Sequence, residues 1–123
     1  MKASSVHATL PAADLQRARS FYEEKLGLAP VTDGPNGVFY EVGQARFLVF
    51  PTGGRPSGAH TQLGFQVDDI EAAVADLKSR GVALEEYDLP GFDRGTSIAT
   101  TGDVRAAWFK DSEGNLLGVV QLA

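Results

Sequence analysis

One pattern occurs twice in this chain, and it restricts the fold more than any other feature. A short alternating stretch, Val6 to Pro11, runs into an amphipathic segment opened by Asp14 and stopped by Gly27. A second stretch, Thr61 to Val67, runs into one opened by Asp69 and stopped by Gly81. The two Asp residues stand 55 positions apart, and the same offset carries His7 onto Gln62. A repeat of that length in two copies is too long for a solenoid unit and predicts two similar modules.

Each copy carries its own punctuation. Leu15, Ala18, Phe21, Tyr22 and Leu26 recur at spacings of three and four, which puts them on one helix face opposite Arg17, Arg19, Glu23, Glu24 and Lys25. Asp14 is suited to accept an orphan backbone N–H at the helix start, and Gly27 to adopt the left-handed conformation that ends it. Ile70, Ala73, Val74 and Leu77 form the matching face of a helix over 69–80.

Strands fill the remainder. Leu28 to Thr32, Val38 to Val42 and Ala45 to Phe50 read as strands, separated by the turn cluster Asp33-Gly34-Pro35-Asn36-Gly37 and by Gly43-Gln44. In the second half Val82 to Tyr87 is expected as a strand and Asp88 to Gly102 mostly as a loop over or beside a pocket. Arg105 to Lys110 and Asn115 to Leu122 close as a hairpin across Asp111-Ser112-Glu113-Gly114. Each half therefore runs strand, helix, three strands. The expected division is a first module over about 4–51, a Gly- and Pro-rich linker over about 52–60, and a second module over about 61–123.

Composition removes several classes of function. The 123 residues fall within the size of one domain, and no apolar run approaches the ~18 residues of a membrane helix. The N-terminal MKASSVHATL lacks an apolar signal core, so a cytoplasmic location is expected. With no Cys there are no disulfides, thiolate nucleophiles or Cys-based zinc sites. A net charge of -5 with scattered basic residues argues against nucleic acid as a partner, while an acidic surface suits a cationic ligand or, more simply, serves solubility. No G-x-S-x-G, Walker or G-x-G-x-x-G pattern is present.

Taken together, His7-x-x-Leu10, Asp14-Leu15-x-Arg17, Phe21-Tyr22-x-x-x-Leu26-Gly27, Val67-Asp68-Asp69 and Trp108-Phe109-x-Asp111-x-Glu113-Gly114-Asn115-x-x-Gly118 resemble the vicinal oxygen chelate superfamily. That superfamily includes glyoxalase I, extradiol dioxygenases and bleomycin-resistance proteins. The resemblance covers nearly the whole chain. It implies an α+β fold of two paired βαβββ modules forming a half-open barrel around a cavity, and a homodimer.

Its metal enzymes place one ligand on the first and one on the last strand of each module, where a divalent ion acts on vicinal oxygens as a Lewis acid. The resemblance carries those positions onto His7, Leu48, Gln62 and Gly118. His7 is a competent ligand and Gln62 a weak neutral one; Leu48 and Gly118 offer no donor. Gln121, three residues past Gly118, is expected on the opposite strand face. His60 leaves a shifted pair with His7 conceivable, but no carboxylate joins them, which removes the obvious general base.

The expected function is therefore the binding of a small organic molecule, in the manner of the bleomycin-resistance branch, with no catalytic metal or other cofactor. The candidate ligand-binding residues are His7, Arg46, Leu48, Gln62, Trp108 and Gly118. Arg46 shares a strand face with Leu48 and offers a planar fork to a carboxylate or phosphate, against the alternative of a surface arginine. Trp108 is a candidate aromatic wall, or else core filling, with Tyr87 and Phe92 in a candidate lid. Two rivals remain. One is a divalent-metal-dependent lyase, isomerase or dioxygenase using His7 with Gln62 or His60; the other is a non-catalytic dimeric interaction protein.

Overall fold

The computed structural model describes residues 1–122. The chain divides into two compact units, Met1–Pro56 and Ser57–Ala123.

In the first unit β1 (Ala8–Ala12) leads into α1 (Leu15–Ser20), which continues as a π-helical turn over Phe21–Lys25. Three strands follow: β2 (Pro30–Gly34), β3 (Gly37–Val42) and β4 (Ala45–Pro51). Asp14 caps α1 by accepting the Arg17 N–H at 3.1 Å, and Gly27 ends the helical segment with φ of 71°. The sheet runs β1-β4-β3-β2, with β1 parallel to β4 and the other pairs antiparallel.

Alternation along these strands separates two faces. One carries Leu10, Ala12, Val38, Tyr40, Phe47 and Val49, all buried with Ala18 and Tyr22 of the helical segment. The Tyr22 ring lies 5.5 Å from Tyr40 and 5.6 Å from Phe47. Burial of each of the larger apolar side chains among them, Leu10, Val38, Phe47 and Val49, contributes about 1.5–3 kcal/mol, so this face holds the unit together.

A charged network closes the edge of that core. The Glu23 carboxylate, set in the π-helical turn, accepts from Arg19 Nε at 2.8 Å and from the Tyr40 hydroxyl at 2.8 Å, while Arg19 Nη1 reaches Asp33 at 2.8 Å. Chiefly through the Arg19 hydrogen bond, Glu23 is held below the usual carboxylate range. Burial, and then the bond to Glu23, push the Tyr40 phenol above its ordinary value.

The second unit repeats the plan with an addition. β5 (Thr61–Gln66) leads into α2 (Ile70–Ser79), followed by β6 (Phe92–Asp93), β7 (Ile98–Thr101), β8 (Val104–Lys110) and β9 (Leu116–Gln121). The sheet runs β5-β9-β8-β7-β6, again with the first strand parallel to the last. Asp69 accepts the Ala72 N–H at 3.1 Å, reproducing the Asp14 cap. Ile70, Val74 and Leu77 are buried, as are Ala107, Phe109, Leu117 and Val119 of β8 and β9. Gln121 points to this helix side, where its Oε1 accepts the Ile70 N–H at 2.8 Å.

Two expectations need correction. Val82 to Tyr87 is not a strand: it makes one bridge, Leu84 to Phe109, and a bond from the Glu85 N–H to the Trp108 carbonyl at 2.7 Å. The reason lies along the edge of β8, where Val104 to Ala106 are already paired to β7 and only the end of the strand remains. Conversely, the segment expected mostly as loop, Asp88 to Gly102, contains β6 and β7. Ile98 and Ala99 are buried there, and Thr100-Thr101 suits a pleated edge.

The turn between β8 and β9 is held by one carboxylate. Asp111 Oδ1 accepts the N–H groups of Glu113 at 2.8 Å and Asn115 at 2.9 Å, and Oδ2 accepts from the Asn115 side chain at 2.7 Å. The Asp-x-Glu-Gly-Asn run of the sequence is therefore a turn-building motif.

Candidate ligand-binding faces

Each sheet has one face without a helix, and the candidate residues lie on these two faces.

On the first sheet, Leu48 sits in a ladder row with Thr9 and Phe39. Arg46 lies in the adjoining row opposite Glu41. His7 stands one residue before β1, exposed, with its ring edge-on to Phe39 at 4.9 Å between centroids. His7, Arg46 and Leu48 thus share one face. A groove of about 290 Å³ opens there, lined by Thr32, Asp33, Asn36, Phe39 and Leu48 among others. The Arg46 Nε is 3.6 Å from the Glu41 carboxylate, and both side chains are well exposed. This leaves the guanidinium a weakly held cation at the end of an apolar strip.

Phe39 is the residue of this face that sequence reasoning missed. Val38, Phe39 and Tyr40 are all large and apolar, so no alternation marks the middle one; only the pairing of Phe39 with Leu48 reveals its side.

On the second sheet, Gly118 stands between Gly64 of β5 and Trp108 of β8 in one ladder row. The indole leans across β9 to reach β5, its Nε1 donating to the Thr61 hydroxyl at 3.1 Å. A Cβ at position 118 would meet the Thr61 methyl at 3.3 Å and the indole Cδ1 and Nε1 at 3.6 Å. Gly118 is therefore what lets the indole cross the sheet. Tyr87 stands against Trp108 at 5.4 Å with the rings 80° apart, and Phe92 stands against Tyr87 at 6.1 Å. Burial, then the Glu85 charge, raise the Tyr87 phenol above its ordinary value.

Register shifts between Thr61 and Leu63, leaving Gln62 at a bulge. Gln62 is two residues from Gly64 and shares its face, and Trp108 fixes Thr61 on that face as well. Gln62 is half-buried, and its Oε1 is shielded from solvent with no hydrogen-bond partner. Thr61 is the second missed residue, because the bulge that turns it toward Trp108 leaves no trace in the alternation. His60 is exposed, its Nδ1 2.8 Å from the Ser57 hydroxyl, and precedes the strand.

The positions implied for a metal carry one exposed imidazole, one neutral amide oxygen, a Leu and a Gly. The space that a ligand side chain at 118 would need is taken by Thr61 and Trp108. Among the described residues no three His, Asp or Glu side chains are grouped to hold an ion. This donor set does not fit a divalent metal, which demands deprotonated or strongly basic ligands.

Comparison with known proteins agrees with the architecture. No curated protein matches the sequence. The chain is similar to TnmS3, an antibiotic binding protein from Streptomyces sp. CB03234, at 25% identity over 99% of this chain and 100% of that one, with a TM-score of 0.72. It shares its fold with the fosfomycin resistance protein FosX of Listeria monocytogenes (15% identity, 100% and 96% covered, TM-score 0.73). The same holds for a lactoylglutathione lyase of Agrobacterium tumefaciens (22%, 98% and 96%, 0.64). Residues 4–119 match the family described as glyoxalase, bleomycin resistance protein and dioxygenase. With a βαβββ first unit, a second that adds one short strand to that plan, and the match over most of its length, the chain belongs to the glyoxalase/bleomycin resistance protein/dioxygenase superfamily.

Proposed function

We propose that this chain binds a small organic molecule against a helix-free sheet face without a catalytic metal, holding the molecule rather than transforming it. The observation that carries the reading is the exchange of ligand positions for apolar and aromatic surface: Leu48 beside Phe39, and Gly118 under Trp108. Binding of that kind needs shape, apolar area and a few placed polar groups, and no general base. The likeness to an antibiotic binding protein at 25% identity supports the same class of activity.

The test uses protein purified without chelators. Its divalent metal content is measured, and the fluorescence of Trp108, the only Trp, is followed while bleomycin and other antibiotics of varied shape are added. Saturable quenching in metal-free protein is expected. A stoichiometric bound divalent ion, with binding lost on its removal, overturns the metal-free reading.

A cytoplasmic homodimer is part of the same proposal. Within its own unit, each sheet ends in strands with one unpaired edge, and such edges favour association. Sedimentation at micromolar concentration is expected to give twice the 13.1 kDa of the chain; a monomer overturns the dimer.

A further inference from the structure

We infer that the hydrogen bond from Ser97 to Glu86 is a latch: it keeps the segment from Glu86 to Leu89 closed on the second unit with Tyr87 against the Trp108 indole, and its release opens that segment as a flap. The inference rests on the small-molecule reading above for what enters beneath the flap, and adds how entry is regulated.

The segment is anchored at both ends. At one, the Glu85 N–H donates to the Trp108 carbonyl at 2.7 Å and Leu84 bridges Phe109. At the other, the Gly91 carbonyl accepts the Thr100 N–H at 2.9 Å and Phe92 pairs with Ala99. Between these anchors the chain has neither helix nor sheet pairing, and Leu89 only closes the turn into β6 by accepting the Phe92 N–H at 3.1 Å. Among the described residues, the one hydrogen bond made by Glu86, Tyr87 and Asp88 runs from Ser97 Oγ to Glu86 Oε1 at 2.8 Å. The next side chain, Tyr87, stands edge-on to the half-buried indole at 5.4 Å between centroids. A stretch with so few bonds opens more readily than the paired backbone on either side.

Ser97 sets this bond apart from an incidental contact. Its φ is 63°, which makes it the one left-handed residue other than glycine among those described, and it is buried. It completes the loop between β6 and β7, where the Asp93 carbonyl accepts the Ser97 N–H at 2.8 Å and the Thr96 N–H at 3.3 Å. Glycine takes that conformation freely, whereas a side chain is penalised there. A serine therefore strains the loop, and what it adds is the hydroxyl that Glu86 accepts. Residues held in this way collect at clamps and switches. The Glu86 carboxylate is exposed, so water competes for it and the bond can break and remake.

The experiment uses the whole chain with no ligand. The fluorescence of Trp108, the only Trp, is quenched with acrylamide, a neutral molecule that must reach the indole to act. Tyr87→Ala removes the covering ring and sets the open limit. Ser97→Gly and Glu86→Ala cut the latch and are expected to raise the quenching constant toward that limit, with the flap open about 2- to 10-fold more often, as one lost hydrogen bond implies. Glu86→Gln keeps an acceptor for the hydroxyl and is expected to stay near wild type. Ser97→Gly loses the strain along with the bond, so it is expected to melt within about 5 °C of wild type.

Quenching in Ser97→Gly and Glu86→Ala equal to wild type overturns the inference, as does Glu86→Gln quenching like Glu86→Ala. Wild type quenched as readily as Tyr87→Ala overturns it too, and so does a rise in Ser97→Gly that comes with a larger fall in melting temperature. If the latch variants quench like wild type while bleomycin or another antibiotic still binds, this inference fails and the proposed function stands. If they open as expected and no small molecule binds, the latch stands and the proposed function fails.

Discussion

Replacing Tyr40 by Phe removes one oxygen from a wholly buried ring and leaves its packing against Tyr22 and Phe47 intact. The lost group donates to Glu23 at 2.8 Å. A hydrogen bond to a charged acceptor contributes about 1.5–3 kcal/mol, and the low end applies because Glu23 keeps its bond to Arg19 and is 28% exposed. A loss of about 1.5 kcal/mol lowers the melting temperature of a chain this size by about 5–7 °C. The pH dependence supplies a sharper signature. Glu23 titrates lower folded than unfolded, chiefly through Arg19 and then Tyr40, so its contribution is present above the unfolded value of about 4.3 and is lost as pH falls through the folded value. The gap between wild type and Tyr40→Phe is therefore full at pH 7 and narrows on acidification below pH ~4. Tyr40 titrates higher folded than unfolded, because of burial and then Glu23, so its contribution is full below pH ~10 and is lost as pH rises further. The variant lacks that alkaline loss. Thermal melts monitored by far-ultraviolet circular dichroism from pH 3 to 11 measure both limbs. A variant as stable as wild type at pH 7, or a gap that widens in acid, refutes the reasoning.

Asp111→Ala strips the β8–β9 turn of the acceptor for two backbone N–H groups and the Asn115 side chain, with Asn115 wholly buried. The expected loss is about 3–4 kcal/mol in urea unfolding; less than ~1 kcal/mol would mean that the turn holds without its carboxylate. Gly118→Glu forces a side chain into the space shared by Thr61 and Trp108. It is expected to break the indole bond, shift the indole N–H resonance and cost about 1–3 kcal/mol without conferring metal binding. Calorimetric titration with zinc or manganese checks the last point, and tight uptake with an unperturbed indole contradicts it.

Much of the scaffold was readable from residue types alone because it rests on local chemistry. Asp14 and Asp69 cap their helices through the same side-chain bond, and Gly27 and Gly81 follow with positive φ, so each helix announces its own ends. The π-helical turn over Phe21–Lys25 left no such sign: a helix widened by one residue keeps nearly the same apolar face. Val82 to Tyr87 has good strand composition yet is not one, since competition with β7 for the edge of β8 is a tertiary fact. The candidate site divides the same way. The opposite orientation of Gln121 followed from period-two alternation and is seen in its bond to Ile70. What Gly118 does depended on a ring two strands wide of Thr61, and what Thr61 does depended on a bulge, and neither has a one-dimensional signature.

The parallel pairing of first strand to last has a consequence for synthesis. Within its sheet β1 pairs only with β4, and β5 only with β9. The first unit therefore cannot close until the ribosome has released residues through Pro51, and the second not until Gln121 has emerged. Until then each opening strand is a lone edge whose partner does not yet exist, and the loop to be closed is long, which slows folding and prolongs exposure of unpaired backbone. In a nascent chain every strand of the first sheet has been made while the second is still incomplete. A destabilising change in β9 should thus lower the yield of folded chain chiefly through the second unit.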